Sequence, residues 1–335
     1  MRYYDLTVTP YDKATGLPGP TPFRRWTSHR GTKFDPAALN VEFDIPVVPF
    51  ASPTGGQTIT VEGISLQDLQ QATQFGSLVD NSGAVTQPGM YFSLKAGMTN
   101  GLPLANPKQA GLICAGQIFQ SFGNWEGTNM SLSFVIFPGV YSLAYPGNLV
   151  LHWTKGTSLS TALQNCLQTA FPNIPAKVTI GANLVNDFDN IHFTATLEGL
   201  AKWVGDWTKA KYNDEVHIAV QAGTILAYDS TYTPTPVEIQ FADLIGQPVW
   251  VKPNQMQIKL VMRADLQLGS LIKMPQGFQD FPGLVTTYAG SLPSSLKYAS
   301  AFKGNFVINQ MRHIGNYRTP DGQAWVTVIN CFPVT

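Results

Sequence analysis

The stretch Val41-Glu42-Phe43-Asp44-Ile45 alternates apolar and acidic side chains with a period of two. That period is typical of a strand with one buried and one exposed face. The same alternation recurs at Met90–Lys95, at Met130–Ile136 and, late in the chain, at Met256–Met262. Because 30 Gly and 24 Pro are available to end short elements, the pattern predicts a mainly β protein and not a helical bundle.

A different pattern occupies the middle of the chain. Between Leu159 and Ala170 the apolar residues recur at the spacing of an amphipathic helix, which we expect Thr157 to cap. A second helix is predicted from Leu197 to Lys209. Strands before, between and after these helices give the order βαββαβ with one further strand, and the Thr/Pro-rich residues 229–236 are typical of an extended linker.

These patterns divide the chain into three predicted domains. Residues 1–148 and 231–335 are rich in strands, and residues 149–230 form an α+β module between them. The β-rich regions are predicted to be either two barrels or one barrel that the module interrupts. Within the first region, Ser65 is the expected N-cap of one short helix.

Composition restricts the class of protein. Only 13% of the 335 residues are charged, 44% are apolar, and 21 basic residues cancel 21 acidic ones. A net charge of zero argues against a generally basic nucleic-acid binder. So few charges on so long a chain indicate a surface that other subunits cover. The longest apolar stretch, Met130–Tyr145, is interrupted by Ser, Pro and Gly, so we expect no membrane insertion.

The cysteines indicate the folding compartment. Cys114, Cys166 and Cys331 are odd in number and far apart, which predicts buried thiols and neither a disulfide scaffold nor a zinc site. The N-terminus lacks the apolar segment of a signal peptide. We therefore expect the protein to assemble in a reducing cytoplasm.

No motif indicates catalysis or a cofactor. GxGxxG, GxxxxGK[ST], HExxH and GxSxG do not occur, and the five histidines are scattered. Asp187-Phe188-Asp189-Asn190 lacks the central glycine and the terminal glutamate of a calcium loop. The strands of the module lack the stacking aromatic residues of an RNA-recognition domain. We expect no catalytic residue, no cofactor and no metal.

The basic residues concentrate at one place, where Arg24, Arg25, Arg30 and Lys33 surround Trp26. Six cations against two acids give residues 1–33 a charge of +4, whereas two lysines against seven acids give residues 34–150 a charge of −5. One interpretation is a solvated loop with salt bridges. The other is a surface that faces an anionic partner or passing DNA. Of these we predict a neighbouring protein and not a channel for DNA, with the acidic region 34–150 of the same or an adjacent subunit as the partner.

Several stretches resemble the baseplate hub proteins of contractile-tailed bacteriophages, a family related to late-control tail proteins and to the hub part of type VI secretion spikes. A strand that runs into a short helix is found at Ile59–Leu69. A strand, loop and G-x-I pattern is found at Lys95–Met98 with Gly111–Ile118, and a hairpin of the form V-x-x-(V/M)-x-H…W-x-T at Phe306–His313 with Trp325–Val328. The other two matching stretches are Trp153–Thr157 and Asp265–Pro275.

The resemblance implies a structural virion protein and not an enzyme. A hub of this family is a homotrimer in which each subunit supplies two tube-like β-barrels of similar topology, so that three chains match a sixfold tail tube. The implied partners are the tail tube or tube-initiator protein, the spike protein and baseplate wedge proteins, with DNA only in passage through the ejection channel. The implied location is the phage tail baseplate, after assembly in the host cytoplasm.

The sequence leaves three alternative functions open. One is another tail component with tube-like domains, such as a tube initiator or a siphophage distal tail protein. The second is a β-rich glycosidase or peptidase, although a glycosidase needs two converging carboxylates that no motif here pairs. The third is a module that binds a small ligand.

Overall fold

The computed structural model describes residues 1–12, 17–50, 57–82, 85–99, 109–138, 148–275, 284–285 and 304–334. Strands dominate, so the predicted mainly β fold with an α+β module is confirmed.

The first part is β-rich and contains one short helix. Ser65 caps that helix as predicted, because its Oγ accepts a hydrogen bond from the N–H of Asp68 at 3.2 Å. Two short strands, Leu78–Val79 and Val85–Gln87, pair with each other outside the main sheet. The elements are β1 (Arg2–Thr9), β2 (Arg24–Thr27), β3 (His29–Arg30), β4 (Lys33–Phe34), β5 (Asn40–Val47), β6 (Gln57–Glu62), α1 (Leu66–Gln70), β7 (Leu78–Val79), β8 (Val85–Gln87), β9 (Tyr91–Met98), β10 (Gly111–Glu126) and β11 (Asn129–Pro138).

The middle part has the predicted order of strands and helices. Its elements are β12 (Leu149–Trp153), α2 (Leu159–Ala170), β13 (Ala176–Thr179), β14 (Asn190–Thr194), α3 (Leu197–Tyr212), β15 (His217–Gln221) and β16 (Thr224–Tyr228). The strands form two separate sheets, β12–β14 and β13–β16–β15. This module therefore lacks the single four-stranded sheet on which an RNA-recognition domain stacks bases.

Two helix boundaries in the module differ from the prediction. Ser158 caps α2, because its Oγ accepts a hydrogen bond from the N–H of Thr161. The hydroxyl of the predicted cap, Thr157, instead donates to the carbonyl of Thr154 at 2.7 Å. Helix α3 continues beyond Lys209 to Tyr212 and ends at Asn213, which adopts the left-handed conformation common after helix C-termini.

The last part returns to strands. They are β17 (Val237–Glu238), β18 (Val249–Lys252), β19 (Gln255–Val261), β20 (Leu271–Lys273), β21 (Leu284–Val285), β22 (Asn305–Asn316) and β23 (Trp325–Pro333).

The two β-rich regions are joined by backbone hydrogen bonds into one sheet of 14 strands. Its main path runs β2-β1-β9-β10-β11-β6-β5-β22-β23-β19-β18-β21. The junction is the antiparallel pair β5–β22, in which Asp44 lies opposite Ile314 and Ile45 lies opposite His313. A strand from the first 50 residues thus pairs with one from the last 35.

The hydrophobic core continues across this junction. Phe43 on β5 packs edge-on against Trp325 on β23, with ring centroids 5.3 Å apart. Gly315 on β22 makes this packing possible, since a Cβ atom there would lie 2.2 Å from the Phe43 ring. The module has a core of its own around the buried faces of α2, α3 and the strands that they cover.

A buried polar network connects the first and last regions of the chain. Arg263, only 2% exposed, donates to Asp243 at 3.0 Å and makes a two-pronged contact with Asp265. Asp243 also accepts a hydrogen bond at 2.9 Å from Gln109, which precedes β10. A cation is therefore held between two carboxylates of the last region, and the hydrogen bond from Gln109 to Asp243 ties that region to the first.

His313 lies in the middle of β22, 1% exposed, with its Nδ1 3.0 Å from the hydroxyl of Thr327. Burial lowers its pKa from 6.5 to about 4. The fold therefore favours the neutral ring, so this contribution to stability is complete above pH 6.5 and is lost as the pH falls from 6.5 to about 4. The full loss amounts to about 3 kcal/mol.

We expect His313→Gln to flatten the pH dependence of the urea midpoint between pH 7 and pH 4. Glutamine retains a polar partner for Thr327 but does not titrate. His152→Gln, which replaces an exposed histidine of β12, is the control and should leave the wild-type slope. Equal slopes in the wild type and His313→Gln would contradict this explanation.

Candidate functional site

One face of the long sheet is polar and solvent-accessible over six adjacent strands, from β11 to β19. Along each strand the residues of this face alternate with core residues, as the period-two pattern predicts. We call it the polar face. Strand by strand it consists of Ser131, Ser133 and Val135 on β11, Thr58, Thr60 and Glu62 on β6, Glu42, Asp44 and Pro46 on β5, Gln310, Arg312 and Ile314 on β22, Val328 and Asn330 on β23, and Gln257 and Lys259 on β19.

Hydrogen bonds between neighbouring strands hold several of these side chains in place. The hydroxyls of Thr60 and Ser133 lie 2.9 Å apart. The amide of Asn330 donates to Gln310 at 3.1 Å and accepts from Gln257 at 3.2 Å. The face therefore presents neutral dipoles that are already satisfied by their neighbours.

The charges on the polar face are few and nearly balanced. Asp44 and Arg312 form a two-pronged ion pair across the β5–β22 junction. Lys259 donates to Gln323 at 2.9 Å, and Glu62 accepts from Asn40 at 2.9 Å. With Glu42 included, the polar face carries three carboxylates and two cations, so its net charge is −1. Such a surface has no dense basic patch to retain a polyanion.

None of the residues that form the polar face is a histidine. Among the described residues, no three His, Cys, Asp or Glu side chains come together as metal ligands do. His313 points into the core, and His192 stacks flat on Trp203 at 4.2 Å.

The structure does not bring the five predicted interface residues together. Trp26 is in the core, 9% exposed, and packs on Phe134. Arg24 and Arg25 leave β2 on opposite faces, because Arg24 lies opposite the buried Val8 and Arg25 lies opposite Thr7.

Each of the three arginines pairs with an acid of the same chain. Arg24 binds Asp68 at 2.5 Å, Arg25 binds both oxygens of Asp5 at 2.8 and 3.0 Å, and Arg30 binds Asp35 at 2.6 Å. Lys33 is exposed and lies opposite Arg30 in the β3–β4 pair. The salt-bridge interpretation thus describes the arginines, and contact with a neighbouring protein stays a prediction for Arg25, Arg30 and Lys33, which remain exposed.

The cysteines are buried and free. Burial raises the pKa of the Cys114 thiol to about 12 and that of Cys166 to about 11. These thiols are therefore protonated at neutral pH and do not act as nucleophiles.

The sequence interpretation missed the long β10–β11 hairpin. Beyond Gln117, β10 continues without β9 as a partner. Its far half exposes Phe119, Phe122 and Trp125, the last at 62%. Aromatic residues spaced by three along β10 do not match the period of two. A β-bulge lies at Phe119, between Ile118 and Gln120, and Phe122 and Trp125 then point to opposite sides of the strand.

None of the helices in the described parts of the chain is long and apolar enough to cross a membrane.

Comparison with solved structures finds similar folds in tail proteins. A tail protein from Neisseria meningitidis MC58 is 11% identical over 98% of this chain and 96% of its own, with a TM-score of 0.47. The 43 kDa tail protein of prophage MuSo2 from Shewanella oneidensis is 7% identical over 99% and 98%, with a TM-score of 0.47. The E. coli c3393 protein, a type VI secretion component, is 8% identical over 89% and 73%, with a TM-score of 0.45.

The structural neighbours are thus phage tail proteins and type VI secretion proteins, the class of protein that the sequence motifs resemble. No protein-family model and no curated protein sequence matches the chain.

Proposed function

We propose that this chain is a structural subunit of a phage tail baseplate hub, and that three copies form a ring that joins the tail tube to the central spike. The observation that carries the proposal is the pairing of β5 with β22. It places two β-rich units side by side in every chain, with one polar face running across both. Three such chains supply six β-rich units. The six units match a tail tube of sixfold symmetry on one side of the ring, and the three chains match a spike of threefold symmetry on the other.

The open ends of the sheet support an assembly of several copies. Among the strands that the structure describes, β2 at one end pairs only with β1, and β18 at the other pairs with the two-residue β21. Edge strands that present unpaired backbone groups are normally covered, since they otherwise associate at random. In the proposed ring, adjacent subunits cover these two ends.

We assign the polar face to the wall of the ejection channel. A channel must let DNA slide and must not retain it, and counterion release makes dense cationic surfaces retentive. Neutral hydroxyls and amides with a nearly balanced charge meet that requirement. Residues 1–148 and 231–335 are then the two tube-like barrel domains, and the module at 149–230 lies at the periphery of the ring, where a wedge protein is accessible to it.

The proposal is tested by mass measurement and negative-stain images of the purified protein. We expect rings with threefold symmetry, three 36.5 kDa chains in each and a central opening. Addition of the tail tube protein should cap one end of the ring and the spike protein the other. A protein that remains a monomer at all concentrations, or that forms particles without an opening, would refute the proposal.

The same images separate the second candidate, a tube initiator or siphophage distal tail protein. Such a ring has six identical chains and true sixfold symmetry. The observation that favours the trimer is that one chain already contains two β-rich units in one sheet.

A further inference from the structure

The two-stranded sheet β12–β14 of the module has an apolar outer face. Val150 lies directly opposite Phe193 and His152 opposite Ile191, and these four point outward, whereas Leu149, Leu151 and Trp153 point into the module core. Val150 is 42% exposed, Ile191 53% and Phe193 71%. Two strands alone are marginal as a sheet in water, so this one depends on its inner packing.

Strand β14 is also an unprotected edge. Among the described strands it pairs only with β12, so its other side carries unpaired backbone groups. Proteins usually block such an edge with a charge, a proline or a bulge. The strand Asn190-Ile191-His192-Phe193-Thr194 contains neither a charge nor a proline, and its register with β12 is regular.

Aromatic contacts on the inner side of β14 keep this strand ordered. The ring of His192 stacks on Trp203 of α3 with the planes 11° apart, and Trp203 stacks in turn on Trp207 at 12°. This stack fixes the backbone of β14 on its inner side. An ordered, uncharged strand with free backbone groups accepts another strand without a large ordering cost.

The sequence of β14 is complementary to itself in one register. In an antiparallel pair of two copies centred on His192, Ile191 of each copy faces Phe193 of the other. Asp189 then faces Ala195. A parallel pair would instead place Asp189 against Asp189, and like charges directly opposite each other are unfavourable. A shift of two residues would place Phe193 against Asp189 or Ile191 against Ala195.

We propose that a second copy of this chain covers the edge of β14, through an antiparallel, two-fold pair centred on His192. The pair joins the two-stranded sheets of the two copies into one four-stranded sheet with Ile191 and Phe193 of each copy side by side. The contact is isologous and closes on itself. It is independent of the proposed ring, because it uses the module and not the 14-stranded sheet.

The first test compares masses over a concentration series. We expect the wild type to reach at least twice the mass of Phe193→Lys, because every β14 edge of the wild type takes up a second copy. Phe241→Lys is the matched control, because Phe241 is also 70% exposed but lies in the last region. It should behave as the wild type does. Equal masses for the wild type and Phe193→Lys, or a loss of mass in Phe241→Lys as well, would overturn the proposal.

The second test examines the register. His192→Cys should form a reducible disulfide between two copies, because paired residues of antiparallel strands have Cα atoms about 5 Å apart, within the range of a disulfide. Thr194→Cys should not, because its nearest copy lies four residues further along the strand. The three native cysteines are buried and do not interfere. Cross-linking of Thr194→Cys as readily as His192→Cys would overturn the register.

Discussion

Arg263→Leu should lower the free energy of unfolding by about 3–5 kcal/mol, because removing one partner of a buried ion pair leaves the other charge uncompensated. The guanidinium of Arg263 is 3% exposed and contacts Asp243, itself 5% exposed, and the more accessible Asp265. Leucine fills similar space but donates no hydrogen bond to either carboxylate. The change should appear as a lower urea midpoint with an unchanged slope.

The control for this variant is Lys273→Leu. Lys273 pairs with Glu238 at 3.2 Å, but the two side chains are 47% and 75% exposed. Exposed pairs contribute about 0–1 kcal/mol, so this variant should unfold near the wild-type midpoint. Replacing Asp243 by Asn in the Arg263→Leu background should recover part of the loss. Equal midpoints for Arg263→Leu and Lys273→Leu would contradict the network as a source of stability.

Leu163→Asp should unfold the α+β module at a cost above about 4 kcal/mol. Leu163 is fully buried on α2 in the core of the module. The substitution removes the apolar contacts of a leucine and places a carboxylate where no cation reaches it. Because α2, α3 and most of the module strands pack into a cluster that contains no residue of β22 or β23, we expect the module amides to lose hydrogen-exchange protection while β22 and β23 keep theirs.

Thr161→Asp is the matched control on the same helix. Thr161 is exposed in the first turn of α2, where a negative charge interacts favourably with the helix dipole. It introduces the same side chain two positions away and should leave the module folded. Loss of protection in Thr161→Asp, or simultaneous loss in β22 of the Leu163→Asp variant, would show that the module is not an independent unit of stability.

Local periodicity was sufficient to predict most of the elements. The alternating stretches Val41–Ile45 and Met130–Ile136 lie within β5 and β11, and the apolar face of α2 is the buried one. These features depend on residues within one or two turns of each other, so the local sequence contains the information. Helix caps were less certain, since Thr157 and Ser158 are adjacent and both can accept the hydrogen bond of a cap.

The candidate site could be predicted only in part. Alternation at Glu42 and Asp44, and at Ser131 and Ser133, identified residues that point away from the core. It could not show that these residues share one surface with Arg312 and Lys259. Likewise, charge counting indicated that the basic cluster meets acids, but Asp68 as the partner of Arg24 depends on how α1 packs beside β2.

The alternation of side chains, the order of elements in the module and the near-absence of charge follow from the chain itself, because they are properties of neighbouring residues. The junction of β5 with β22, the buried ion pair of Arg263 and the separation of the module strands into two sheets exist only in the folded molecule. A strand edge pairs through backbone groups that are alike in every residue, so local sequence does not specify which distant edge it meets. That choice is made by side chains that pack together after folding, such as Phe43, Gly315 and Trp325.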